Sequence, residues 1–447
     1  FHQRYNYIRG DFLCQEISKM FTPAVIFLII IYIEENYKSG GHSVDNKVIG
    51  IVAEYNPLHK GHTYLLQEAR KKCGNKPIIA AMSGDFVQRG EPALLDKWTR
   101  AKVAVASGVD LVLELPTVFC VRSAEYFALG GVKVLAATGV VDQLVFGVET
   151  MTGFDADMLA AYLNSPEATI AFKKIMQEKH NYGAAWQQVA EDWHKGAGAC
   201  LSGPNNILSM SYRRAIHLSK AMITAVPILR QGNADNDTSL TSQYPSATAL
   251  RQTLYARKAL ETIKDYVPAA SLAALAENYP FREPIQSLKM LLAYELLYCN
   301  ANQMYDRTIS DTGLCFRMLK SRTALQNGWE NYLGAVVNKR YPKPSLRRII
   351  LQLLLHETRE FWQETNSPAY LRVLAFNERG RSVLREMKNK AKLPIITKTG
   401  NLRSKDYDAN FNRQLALDIR AANLYQLLQY HFGDYSSDYT SSPYFLK

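Results

Sequence analysis

From Lys47 onward, short apolar runs alternate with stretches of helical spacing, and this alternation leaves few folds open. Val48–Ala53, Ile78–Met82, Leu111–Leu115 and Gln143–Phe146 read as buried strands. Thr63–Lys72 (ended by Gly74), Leu95–Ser107 (closed by Gly108) and Ala124–Ala137 read as the helices between them. Short β-rich runs alternating with helices predict a parallel sheet covered on both faces, a Rossmann-like α/β fold. In such sheets ligands bind beyond the carboxyl ends of the strands. Val226–Arg230 is apolar enough for a further strand, ahead of a polar loop (Gln231–Gln243), and residues 155–200 read as mostly helical. After about Tyr266 the strand signal fades, while Ser287–Asn300, Ser345–His356 and Ser382–Lys392 have helical spacing.

At 447 residues the chain exceeds one typical domain. The expected organisation is an α/β domain over 47–265, an α-helical domain over 266–433, and a disordered tail over 434–447, rich in Ser, Tyr and Asp. Residues 1–46 read as an extension of unknown role. Its Phe21–Ile33 segment is strongly apolar, yet a membrane span needs roughly 18 or more such residues. No small-residue cleavage site follows; Glu34, Glu35 and Asn36 do. Cys14, Cys73, Cys120, Cys200, Cys299 and Cys315 form no Cys-x-x-Cys pair, which predicts a reducing, cytoplasmic setting and no protein-held metal.

The net charge of +12 is localised. Between Arg317 and Arg403 there are 18 Lys or Arg against 6 Asp or Glu, so the remainder carries 35 of each sign and is neutral. One-sided excess points to a polyanionic partner, with nucleic acid foremost; Arg347 and Arg348 are candidate contacts.

The segment Val48–His62 carries the chemistry. It reads Val-Ile-Gly-Ile-Val-Ala-Glu-Tyr-Asn-Pro-Leu-His-Lys-Gly-His, a strand that delivers two histidines to a helix N-terminus. The free N–H groups of a first helical turn and the positive end of its dipole favour phosphate. Gly61 lets the chain approach phosphate closely, and His59 and His62 can donate hydrogen bonds to charge developing there.

Further segments have matching equipment. Ser83–Ala93 follows the second strand and offers Gln88 and Arg89 for phosphate or a second substrate; a solvated arginine on a glycine-containing loop is an equal reading. Gly147 ends the fourth strand, where adenosine can lie close to the backbone. Asn205 or Asn206 can cap a helix or bond a base or ribose. Arg230, at a strand end, can grip phosphate as a fork or be a plain surface arginine. Ser246, Thr248 and Arg251 furnish a second helix N-terminus suited to phosphate.

Together these strings, with Lys97–Arg100 and Gly108–Pro116, resemble the bacterial tRNA(Met) cytidine acetate ligase family of the His-x-Gly-His nucleotidyltransferase superfamily. The resemblance covers roughly residues 47–430 and extends to Ser345-Leu-Arg-Arg-Ile349 and Tyr370–Gly380 in the basic part; Thr312-Gly-Leu-Cys-Phe316 departs from it, lacking acidic and amide residues.

The resemblance implies a nucleotidyltransferase domain whose ATP site is Val52, Ala53, Glu54, Tyr55, Asn56, Pro57, Leu58, His59, Lys60, Gly61, His62, Thr63, Tyr64 and Leu65, with Gly147, Asn205 or Asn206, and Arg230. It implies that acetate attacks the α-phosphate of ATP, and that the wobble-cytidine amine of elongator tRNA(Met) then takes the acetyl group. Mg2+ is expected to bridge the phosphates, with no membrane and no obligate protein partner. Two other readings stay open at this point: an adenylyltransferase acting on a small phosphorylated metabolite, and a non-catalytic RNA-binding protein.

Overall fold

The computed structural model describes residues 48–179, 182–231, 240, 243–430 and 433–447. The expectations for residues 1–46, and most of those for the Gln231–Gln243 loop, lie outside the described residues.

The alternation becomes the predicted sheet. β1 (Val48–Ala53), β2 (Ile78–Ser83), the two-residue strands β3 (Phe86–Val87) and β4 (Glu91–Pro92), β5 (Leu111–Leu115), β6 (Val141–Val148) and β7 (Thr224–Leu229) follow in chain order. The main sheet runs β5-β2-β1-β6-β7, all parallel, with Ile49 opposite Ile78 and Ile79 opposite Leu111. β1, β2 and β5 are buried almost throughout because helices cover both faces, which is why they read as unbroken apolar runs. Strand order reverses between β1 and β6. That reversal opens a crevice at their carboxyl ends.

The C-terminal part adds to the sheet. The C-terminal part is helical, but Leu371–Asn377 forms β8, Ile395–Ile396 forms β9 and Tyr444–Leu446 forms β10. β8 lies antiparallel against β5, with β9 and β10 parallel to β8, so residues beyond 266 complete the same sheet. Residues 47–447 form one compact unit. The tail is ordered: it contains the short helix Ser437–Thr440 and β10, and its Asp438 is fully buried.

Asp438 is buried because two cations meet it. Its Oδ2 accepts from Lys97 Nζ and from Arg372 Nη1 of β8, both at 2.8 Å. Lys97 also bonds Glu114 of β5 at 2.9 Å. Part of the basic excess is thus spent inside the fold, Arg372 being only 2% exposed. Among the described residues, no helix is long and apolar enough to cross a membrane.

Candidate active site

The turn after β1 folds back on itself. Tyr55 takes a left-handed conformation (φ 48°), uncommon for a bulky residue and a mark of a constrained site. His59 is the N-cap of the helix Lys60–Cys73: its Nδ1 accepts from the Gly61 N–H at 3.0 Å. His62 Nδ1 accepts from the His59 N–H at 3.2 Å, closing a reciprocal cap. An Nδ1 that accepts carries no proton, so each imidazole holds its proton on Nε2. Burial, with repulsion from His59 and Arg230, pushes the His62 pKa well below its usual value and keeps the ring neutral. The caps thus leave Nε2–H as the donor of each ring, and the His62 ring stays neutral.

Both histidines line a cavity of about 250 Å³ at the β1/β6 crevice, a small-molecule space rather than a macromolecular one. Four helices present their first turns or caps to it, through His59 and His62, Ala124, Pro204 and Asn205, and Ala247 and Thr248. Arg89, Arg230 and Arg251 add full positive charges. Convergent helix N-termini and guanidinium groups suit a polyphosphate. Phe127, Phe146, Leu208 and Tyr212 form an apolar part of the wall, fit for a flat base.

Glu54 is the acidic member of the lining. Burial raises its pKa, opposed by the Gln88 N–H it accepts at 2.7 Å and by the nearby arginines. The fully buried Arg100 donates to the Glu54 carbonyl at 2.6 Å and also to that of Gly84, tying the ends of β1 and β2 together.

The structure separates the two asparagines. Asn205 lines the cavity, and its Oδ1 accepts from Arg230 Nη1 at 2.7 Å, orienting the guanidinium. Asn206 is buried behind it, and its Oδ1 accepts from the Glu149 N–H at 2.9 Å. Val52, Ala53, Tyr55, Asn56 and Leu65 also line the cavity.

Other candidates do not line this cavity. Pro57 and Leu58 are buried within the turn, Lys60 points to solvent, and Thr63 bonds the Lys60 carbonyl. Tyr64 packs on Tyr244 with ring centroids 5.8 Å apart, and Ser246 caps its own helix through the Ala249 N–H. At Gly61 a Cβ would sit 2.8 Å from the His59 ring, so the glycine makes room for the cap. Gly147, by contrast, does line the cavity, and a Cβ built there would meet the Arg230 stem at 2.8 Å.

Sequence reasoning missed Leu208 and Tyr212, although their i,i+4 spacing behind Asn205 puts all three on one helix face. The sequence offers Arg347 and Arg348, outside the ATP-site segments, as RNA contacts. Both pack against the β3–β4 hairpin that forms part of the cavity wall: Arg347 pairs with Glu91, and Arg348 Nη1 donates to the Gln88 carbonyl at 3.1 Å.

A family model described as HIGH Nucleotidyl Transferase matches residues 46–438. The chain belongs to the tRNA(Met) cytidine acetate ligase family of HIGH nucleotidyl transferases. It is 32% identical over 396 residues to the tRNA(Met) cytidine acetate ligase of Caldanaerobacter subterraneus subsp. tengcongensis, covering 87% of this chain and 96% of that one. It is 31% identical over 410 residues to the Clostridium novyi protein of the same name, covering 90% and 100%. Thermotoga maritima TmcAL bound with alpha-thio ATP superposes with a TM-score of 0.80 at 30% identity, covering 90% of this chain and 99% of that one. Its apo form gives 0.82 at 31% identity, with the same coverage. Membership of this family fits a ligase or nucleotidyltransferase enzyme, and an ATP analogue occupies a relative of the same fold.

Proposed function

We propose that this chain is an ATP-dependent acetate ligase that acetylates the N4 amine of the wobble cytidine of elongator tRNA(Met). The observation that carries the reading is similarity along nearly the whole length of relatives bearing that name. The donors and cations lining the cavity support it. An acetate oxygen attacks the α-phosphorus of ATP and pyrophosphate leaves, giving acetyl-adenylate. The cytidine amine then attacks the acetyl carbon, sheds a proton, and AMP departs.

In this reading the protein forms no covalent intermediate; it orients reactants and stabilises charge. The Nε2–H donors of His59 and His62 meet the oxygens on which charge grows, while Arg89, Arg230 and Arg251 hold the phosphates. Among the described residues no three His, Cys, Asp or Glu side chains group to hold a metal ion. A magnesium ion, if bound with the nucleotide, would supply neutralisation of phosphate charge beside Arg89, Arg230 and Arg251. The cation-rich helical part would hold the tRNA backbone, with contacts to unstacked anticodon bases giving selection.

The test is pyrophosphate exchange from labelled ATP with a panel of carboxylic acids, with and without tRNA. His59→Ala and His62→Ala should each lower acetate-dependent exchange by about 10²–10³-fold while leaving the fold intact. Near-normal exchange in both variants, or exchange that needs a phosphorylated metabolite instead of acetate, overturns the assignment.

A further inference from the structure

The β3–β4 hairpin stands between the cavity and the helix Lys343–Leu355. One side supplies Val87, Gln88 and Arg89 to the cavity wall. The other lies so close to the helix that a Cβ at Gly90 (φ 76°) would be 2.5 Å from the Arg348 nitrogen and 2.7 Å from the Arg347 carbonyl carbon. Only glycine suits that backbone conformation and that approach.

Glu91, at the start of β4, joins two cations. One oxygen pairs with Arg347 from the helix, and the other lies 3.6 Å from Arg251 Nη2 in the cavity wall. Arg251 is held at a second point, where Nη1 donates to the Asn56 carbonyl at 2.8 Å. Behind Arg347 the alternation continues to Glu330 at 3.4 Å, and Glu330 meets Lys343 at 2.6 Å. Five charges of alternating sign thus run from the half-exposed Lys343 to the cavity.

We propose that Glu91 and Arg347 are positioning residues that fix the guanidinium of Arg251, rather than Arg347 being an RNA contact. The inference rests on reading the cavity as the site of acetyl-adenylate formation. An arginine held in place before the substrate arrives stabilises developing phosphate charge without reorganising. Arg347 in turn neutralises Glu91, so Glu91 can orient Arg251 without cancelling its charge. A surface arginine recruited for RNA would not need a glycine beneath it or a carboxylate on each side.

The experiment measures kcat and KM for ATP in acetate-dependent pyrophosphate exchange, together with alpha-thio ATP affinity by calorimetry. The variants are Glu91→Gln, Arg347→Gln, Arg347→Lys, Arg251→Gln and the double Glu91→Gln/Arg251→Gln. Glu91→Gln and Arg347→Gln should each lower kcat by about tenfold with KM for ATP within about threefold, as misplaced catalytic groups do. Arg347→Lys, which keeps the charge, should recover most of the loss. In the Arg251→Gln background, Glu91→Gln should cost less than about twofold, because residues acting through one another are not additive.

Full additivity in the double variant would overturn the proposal. So would Arg347→Gln that leaves exchange untouched but weakens tRNA retention. If the wild-type chain shows no acetate-dependent exchange, the ligase reading itself fails. The calorimetric arm then decides: non-additive affinity losses support positioning, and additive ones refute it.

Discussion

Replacing Asp438 by Asn tests whether the tail belongs to the fold. Asp438 is fully buried and its Oδ2 accepts from both Lys97 and Arg372, themselves 1% and 2% exposed. Burial alone would raise its pKa, but Lys97 and Arg372 overcome that and hold it at about 2, against an ordinary 3.8. That depression alone corresponds to about 2 kcal/mol of stability at neutral pH. Removing one member of a buried ion pair typically costs about 3–5 kcal/mol, since the partners stay buried.

Some relief is built in. Asp85, 3.9 Å from Lys97, has a pKa pushed up to about 7 by burial, and the Asp438 charge contributes to that rise. With Asp438 neutralised, Asp85 ionises more readily and takes over part of the countercharge, so a net loss of about 2–4 kcal/mol is expected. Thermal melting at pH 7.5 should show a drop of roughly 2–5 °C for Asp438→Asn in a unit of this size. A depressed carboxyl stabilises above its unfolded pKa and ceases to as pH falls through the folded one. The gap between wild type and variant should therefore close between about pH 4 and pH 2. A variant melting within about 1 °C of wild type at pH 7.5 would refute the buried cluster and restore the disordered tail.

Two further outcomes follow from the same geometry. Asp85→Asn should melt higher relative to wild type at pH 8 than at pH 5: a carboxyl whose folded pKa is raised to about 7 gives stability at low pH that is lost as pH rises through that value. A pH-independent difference would refute it. Asn205→Ala should lower ATP affinity by about tenfold, one charged hydrogen bond's worth, with little change in melting, whereas Asn206→Ala should cost about 1–3 kcal/mol of stability because the Glu149 N–H loses its partner. Nucleotide titration and melting of the two variants should give opposite patterns; a reversed pattern would move the nucleotide contact to Asn206.

Local rules were enough for β1, its histidine turn, and the parallel sheet around it, because each buried strand is a short apolar run next to its own helix. They failed at β8. Leu371–Asn377 carries Arg372 at its second position, inside the most basic stretch of the chain, so charge masked a strand buried over its first five residues. Its balance comes from Glu114 and Asp438, far away in sequence. The same holds at the cavity. The residues of the Ser83–Ala93 loop were visible as candidates, but the helix packed beneath Gly90 depends on contacts about 250 residues distant. Asn205 and Asn206 were indistinguishable as letters, and only the direction in which the helix Pro204–Ser219 presents each separates them.

The place of β8 bears on how the molecule is made. β5 ends at Leu115, and its antiparallel partner does not begin until Leu371. At synthesis rates of about 5–20 residues per second, the apolar edge of β5 waits roughly 10–50 s on the ribosome for its cover. Through that interval its N–H and C=O groups are open to pairing with other nascent strands. A fragment cut near residue 265 would keep that edge bare permanently. The nucleotide-binding half is therefore a poor candidate for expression by itself, however self-contained its motifs look.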